Sequence, residues 1–250
     1  MSAFAGTDET TTTMNNSVAP LHRNELAELD KKIAHMGGLA EYNLGKAFDA
    51  LVNRDPNLAQ TVIEADAEID DMQRDIEAHV VSLISRRHLA ADELRQIMAS
   101  LKIAGDLERI GDLAKNIAKR VVAIADQNYP RTLIVGLQHM LERALSQLKD
   151  VLDAYGQKDA DLALAVWSRD EQLDETYNSL FRELLTYMME DPRNIGFCTH
   201  LLFGAKNLER IGDHATNIAE TIHYIVHGVE ISAARPKGDT TSVTLFKPDA

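Results

Sequence analysis

A twelve-residue segment of this chain occurs twice. Leu107-Glu-Arg-Ile-Gly-Asp-Leu-Ala-Lys-Asn-Ile-Ala118 returns as Leu208-Glu-Arg-Ile-Gly-Asp-His-Ala-Thr-Asn-Ile-Ala219, changed only at Leu113/His214 and Lys115/Thr216. The likeness extends upstream: His35-Met36 pairs with His139-Met140, Leu58-Ala59 with Leu162-Ala163, and Asp66 and Asp70 with Asp170 and Asp174. The register shifts by three residues between the second and third helix of the unit, where loop length is free to vary. A repeat this long means one supersecondary unit used twice, which excludes a six-helix bundle without internal symmetry.

The unit is helical. Asp55-Pro56 and Asp191-Pro192 each place a capping acid before a proline at the first helical position, and Asn128-Tyr129-Pro130 separates two long segments. Ala90-Ala91-Asp92 and Tyr155-Gly156-Gln157 are weaker breaks. The spacing predicts six helices over residues 24–54, 57–88, 92–128, 131–155, 158–190 and 193–228. Several would be about 45 Å long or more. Ile103, Leu107, Ile110, Ala114, Ile117, Val121 and Ile124 recur at spacings of three and four, as do Leu208, Ile211, Ala215, Ile218, Ile222 and Ile225, the seam of a packed helix. The expected fold is all-α, a tandem repeat of two three-helix bundles. Its expected divisions are a disordered tail over 1–20, repeats over 21–128 and 129–230, and a loose tail over 231–250.

Composition narrows the function. Of 250 residues, 26 are basic and 39 acidic, a formal charge of −13, which argues against a nucleic-acid surface. A single cysteine, Cys198, excludes an internal disulfide framework and fits a reducing, cytoplasmic setting. Apolar runs such as Val121–Ala125 are far short of the roughly 20 residues of a membrane span. The first residues lack the basic and apolar regions of a secretory signal.

Each copy carries two pairs of carboxylates four residues apart: Asp66/Asp70 with Glu108/Asp112, and Asp170/Asp174 with Glu209/Asp213. Residues at that spacing share a helix face, so two opposed faces would bring four carboxylates to one spot. A single such pair reads as a solvated surface. Four in register repel along each helix unless a cation compensates them. Carboxylate oxygens suit a hard divalent ion or a polynuclear cluster (Mg, Mn, Ca, Fe or Zn), with all-oxygen ligands weighing against structural zinc.

The neighbouring residues permit bland readings. Asn116 and Asn217 either extend the site or lie on the surface, and Arg109 and Arg210 default to surface ion pairs. Gly111 and Gly212 inside helices cost about 1 kcal/mol each against alanine, which a close helix approach would explain. His35 and His139 read as surface or packed residues. Cys198 reads as a buried small side chain, and Trp167, Met188 and Met189 as core. A di-iron site needs Glu-x-x-His on two helices, yet Glu220–His223 answers to Lys119 and Val122 in the first copy. There is no phosphate loop, nucleophile elbow or His-Glu-x-x-His.

At Glu108-Arg-Ile-Gly-Asp112 and Glu209-Arg-Ile-Gly-Asp213, with the matching aspartate pairs, the chain resembles the PhoU family of phosphate-uptake regulators over about residues 22–230. The resemblance implies a cytoplasmic, non-enzymatic, often dimeric protein whose acidic motifs bind metal ions. It further implies a negative regulator linking the phosphate ABC transporter ATPase to the sensor histidine kinase, with membrane association through those partners. A carboxylate-site phosphohydrolase and a metal-free structural bundle are the competing expectations.

Overall fold

The computed structural model describes residues 15–86, 89–127, 132–233 and 235. The helices are α1 (Asn15–Asn53), α2 (Pro56–Arg86), α3 (Ala91–Ile124), α4 (Thr132–Gln157), α5 (Ala160–Trp167), α6 (Asp170–Glu190) and α7 (Ile195–His227), with a 3-10 turn at Pro192–Asn194. These are the expected six rods, the fifth broken at Ser168-Arg169 into α5 and α6. α1 starts at Asn15, inside the segment expected to be a disordered tail. Residues 1–14 lie outside the described residues, as do the expected break at 128–130 and most of the expected C-terminal tail.

The punctuation is local and repeated. Arg54 and Lys158, at matching places in the two copies, both take φ of 53°, reversing the chain before an aspartate cap. Asp55 Oδ1 then accepts from the N–H groups of Asn57 and Leu58 at 2.9 and 3.1 Å. Asp159 Oδ1 accepts from Asp161 and Leu162 at 3.0 Å in each case. Those bonds satisfy N–H groups that a helix start leaves open. α7 stops at Gly228, whose φ of 74° suits a residue without Cβ.

α1–α3 form one three-helix unit, and α4, α5–α6 and α7 the other. They join through α3 against α7 and α1 against α4. Both junctions are antiparallel: Arg120 lies over Phe203 while Asp106 meets His214, and Asp30 meets Tyr155 while Gly37 abuts Leu152. This is the pairing a pseudo-twofold relation between repeats requires. The predicted seams are the core: every residue of the α3 seam is buried, as are Leu208, Ile211, Ala215, Ile218 and Ile222 of α7. Burial of these apolar stripes is the dominant favourable term for rods that show no strand pairing among the described residues.

Polar ties fix the register of the two units. Tyr155 donates to Asp30 Oδ1 at 2.7 Å, and Gln96 Nε2 donates to both Asp30 oxygens at 3.1 and 3.0 Å. Burial and the adjacent Asp30 carboxylate push the Tyr155 hydroxyl far above the usual phenol range, so it stays a donor at every working pH. Tyr155→Phe is expected to cost about 1–2 kcal/mol in urea unfolding, because the donor is buried and its acceptor is a carboxylate.

Candidate cation sites

Two grooves, α2–α3 and α6–α7, carry the acidic residues singled out in the sequence. Gly111 and Gly212 bring each helix pair together. A Cβ on Gly111 would lie 2.9 Å from Ile69 Cδ1 and 3.2 Å from Asp66 Oδ1; on Gly212 it would lie 2.5 Å from Leu173 Cδ2. The helix-interior glycines thus serve a close approach beside the acids. Asp66, Asp170, Asp174 and Glu209 are buried, at 2%, 3%, 4% and 6% exposure. Asp70, Glu108, Asp112 and Asp213 are half-buried. None of the eight belongs to the fully exposed surface, which disfavours a merely solvated face.

The acids of each groove feel one another. Burial raises the Asp66 carboxyl above the usual range against the pull of Lys115, and the neighbouring Asp70 and Asp112 add to the rise. Burial raises Glu108 too, with Asp112, Asp70 and Asp66 contributing. Glu209 is pushed up to about 7, chiefly by burial, with Lys206 opposing and Asp213 and Asp174 adding. These are sites under pressure to take up positive charge.

Side chains of the protein supply that charge. Lys115 Nζ stands 2.6 Å from Asp66 Oδ2 and 3.6 Å from Asp112 Oδ1, joining α2 to α3. Its counterpart in the second copy is Thr216, whose hydroxyl donates to Asp170 Oδ1 at 3.0 Å. There Arg235 takes the lysine's part: Nε lies 2.8 Å from Asp170 Oδ2 and Nη2 lies 2.6 Å from Asp213 Oδ1. Lys206 Nζ approaches Glu209 Oε2 to 3.0 Å and lies over the Tyr177 ring.

With these cationic side chains in place, no three His, Cys, Asp or Glu side chains among the described residues are arranged to hold a metal ion. The donor chemistry is nevertheless that of a hard-cation site: oxygen-only side chains line each groove, and two of them already share one cationic group, Asp66 and Asp112 on the Lys115 ammonium, Asp170 and Asp213 on the Arg235 guanidinium.

Other candidate residues separate cleanly. Arg109 and Arg210 are exposed, and so are His35, His139 and Asn116. Asn217 is instead half-buried, donating to Asp106 at 3.3 Å and accepting from Arg235 at 3.2 Å. Glu220 accepts from the buried Trp167 indole at 2.9 Å, while His223 Nδ1 sits 3.1 Å from the Val229 carbonyl. The half-formed Glu-x-x-His is thus engaged in structural contacts. Cys198 is buried, and burial raises its thiol, so it is the inert side chain expected. Met188 is partly buried against the core, whereas Met189 is 78% exposed and is not the core residue expected.

Lys115, Arg235 and Lys206 were not singled out in the sequence, nor was the Asp106–His214 pair at 2.8 Å that links α3 to α7. A signal was present: the two places where the twelve-residue repeat disagrees with itself are Lys115/Thr216 and Leu113/His214. Those differences mark where the halves have distinct ion pairs.

Comparison with known proteins agrees with the repeat. The family model described as "PhoU domain" matches residues 33–121 and again 137–222. A Rhizobium meliloti protein named "Phosphate-specific transport system accessory protein PhoU homolog" is 55% identical over 218 residues, 87% of this chain and 92% of its own. A Caulobacter vibrioides protein of the same name is 48% identical over 92% of this chain and all of its own length. Among solved structures, PhoU from Pseudomonas aeruginosa superposes with a TM-score of 0.80 at 40% identity, covering 83% of this chain and 99% of that one. The phosphate transport system regulatory protein PhoU from Streptococcus pneumoniae gives 0.78 at 29% identity, over 85% and 100%. With the family's domain present twice, close relatives matched over nearly their full length and the same helical architecture, this chain belongs to the PhoU family.

Proposed function

We propose that this protein is a non-enzymatic negative regulator of phosphate uptake and phosphate-starvation signalling. It acts as an adaptor between the phosphate ABC transporter ATPase and the sensor histidine kinase of the phosphate system. The observation that carries this reading is similarity running through both repeats to proteins named as phosphate-specific transport system accessory proteins. The protein works in the cytoplasm, as a homodimer, and reaches the membrane through its partners; no helix among the described residues is long and apolar enough to cross a membrane. Long antiparallel rods offer the broad helical faces that suit docking on other helical domains.

In this reading the acidic grooves bind divalent or polynuclear cations. Asp66, Asp70, Glu108 and Asp112 would hold one in the first repeat, and Asp170, Asp174, Glu209 and Asp213 one in the second. Oxygen-only ligands suit Mg or Mn best, with Fe or Zn also accepted by carboxylates. The cation would take over the charge compensation supplied by Lys115 and Arg235. Bound there, it would draw α2 to α3 and α6 to α7 and present a positive centre to a partner's acidic group.

Deletion of the gene, with a phosphate-starvation promoter reporter read in phosphate-rich medium, tests the regulatory role. Reporter output is expected to rise at least several-fold and to return to baseline on complementation; unchanged output would contradict the role. Pull-down of the kinase and the transporter ATPase, with and without chelator, tests cation bridging, and binding indifferent to chelator would count against it.

A further inference from the structure

The two acidic sites are closed in different ways. Lys115 belongs to α3 itself, and its single ammonium can leave Asp66 by rotating a flexible four-carbon stem, with no movement of the backbone. Arg235 lies seven residues beyond Gly228, the left-handed end of α7, and its guanidinium is held on every side. Nε donates to Asp170 Oδ2 at 2.8 Å and Nη1 to Asn217 Oδ1 at 3.2 Å. Nη2 donates to Asp170 Oδ1 at 3.2 Å, Asp213 Oδ1 at 2.6 Å and the Asp213 carbonyl at 3.3 Å. A planar guanidinium forked across two carboxylates makes a stronger and more directional contact than one ammonium. The threonine at 216 is too short to reach Asp213 as Lys115 reaches Asp112, which leaves the place for an arginine from outside the helices. Its five hydrogen bonds tie the chain after Gly228 to the site, and withdrawal of the arginine removes that tie.

We infer that Arg235 is a tethered counter-ion of the second-repeat site, which a divalent cation must displace, so that loading of this site is weaker than loading of the first and releases the segment after Gly228. The inference rests on the cation reading of the acidic grooves and adds to it a difference between the repeats and a moving part. It makes the C-terminal segment the reporter of how much cation the second repeat holds.

Isothermal titration of chelator-washed, full-length protein with Mn²⁺ tests it, together with amide hydrogen exchange over residues 229–235. Arg235→Ala is compared with Arg210→Ala, which removes the same charge from an exposed position on α7. The wild type is expected to show two classes of site, with exchange over 229–235 rising only across the weaker step. Arg235→Ala should tighten the weaker class tenfold or more and leave the tighter class unchanged, while Arg210→Ala alters neither by more than about twofold. Binding that Arg235→Ala changes no more than Arg210→Ala does, or exchange over 229–235 that ignores Mn²⁺, would overturn the displacement and leave the cation reading standing. No Mn²⁺ binding to wild type or to Arg235→Ala would overturn both.

Discussion

Gly212→Val is expected to destabilise the protein by roughly 3 kcal/mol in urea unfolding, since even one added Cβ lands well inside the van der Waals contact distance of a packed neighbour. That Cβ would sit 2.5 Å from Leu173 Cδ2 and 3.0 Å from Gln147 Oε1. Leu173 is 1% exposed and Gln147 4%, so neither has solvent to retreat into, and α6 must move away from α7. Helix propensity acts the other way but is worth only a few tenths of a kcal/mol for valine over glycine. Gly105 is the internal control, because a Cβ there meets nothing within 4 Å. Gly105→Val should change stability by less than about 0.5 kcal/mol. Parental stability in Gly212→Val would mean that α6 and α7 are not held at this distance, and the acids on those helices would then have no fixed relation.

The second large effect is a dependence on pH carried by Glu209. An unfolded glutamate titrates near 4.3, whereas burial lifts this one to about 7 in the folded chain. Between those values the folded state keeps a proton that the unfolded state has lost, so stability falls as pH rises. The contribution of the neutral acid is complete below about pH 4 and gone above about pH 7, a difference of roughly 3 kcal/mol for a shift of this size. Glu209→Gln preserves the shape of the neutral acid and removes the titration. In chelated protein its stability at pH 8 should exceed that of the wild type by an amount approaching that figure, with little difference at pH 4. Urea midpoints at the two pH values measure it, and parallel curves for the two proteins would mean that Glu209 is solvated.

Much of this architecture could be read from the chain because it is written in local terms and then repeated. The three-and-four spacing of Ile103 through Ile124 leaves one way to bury the seam, and the second copy obeys the same pattern. Asp55 and Asp191, the capping acids before prolines, each accept from the N–H group two residues on. The close approach at Gly111 and Gly212 was legible for a related reason: glycine inside a helix is costly unless something occupies the space of its side chain.

The features that escaped depend on distance through space. The break at Ser168-Arg169 carries no proline or glycine; there Arg169 turns back to the Ala165 carbonyl and reaches Asp150 on α4 at 2.6 Å. Nor does spacing along one helix reveal which cation faces a given acid. Lys115 meets Asp66 only because α2 lies against α3, and Arg235 meets Asp170 only because the chain after Gly228 folds back along the groove. The acids were evident from their own periodicity, but their partners came from a neighbouring helix face or a segment beyond the repeat.

In the proposed reading, the two acidic grooves are built to seat a cation. Equilibrium dialysis of chelator-washed protein against Mn²⁺ tests it most directly, comparing the wild type with a variant carrying Asp66→Asn, Asp112→Asn, Asp170→Asn and Asp213→Asn. Saturable binding by the wild type, weakened at least tenfold in the folded variant, is the predicted result. Equal uptake by the two proteins, or none by either, would contradict it.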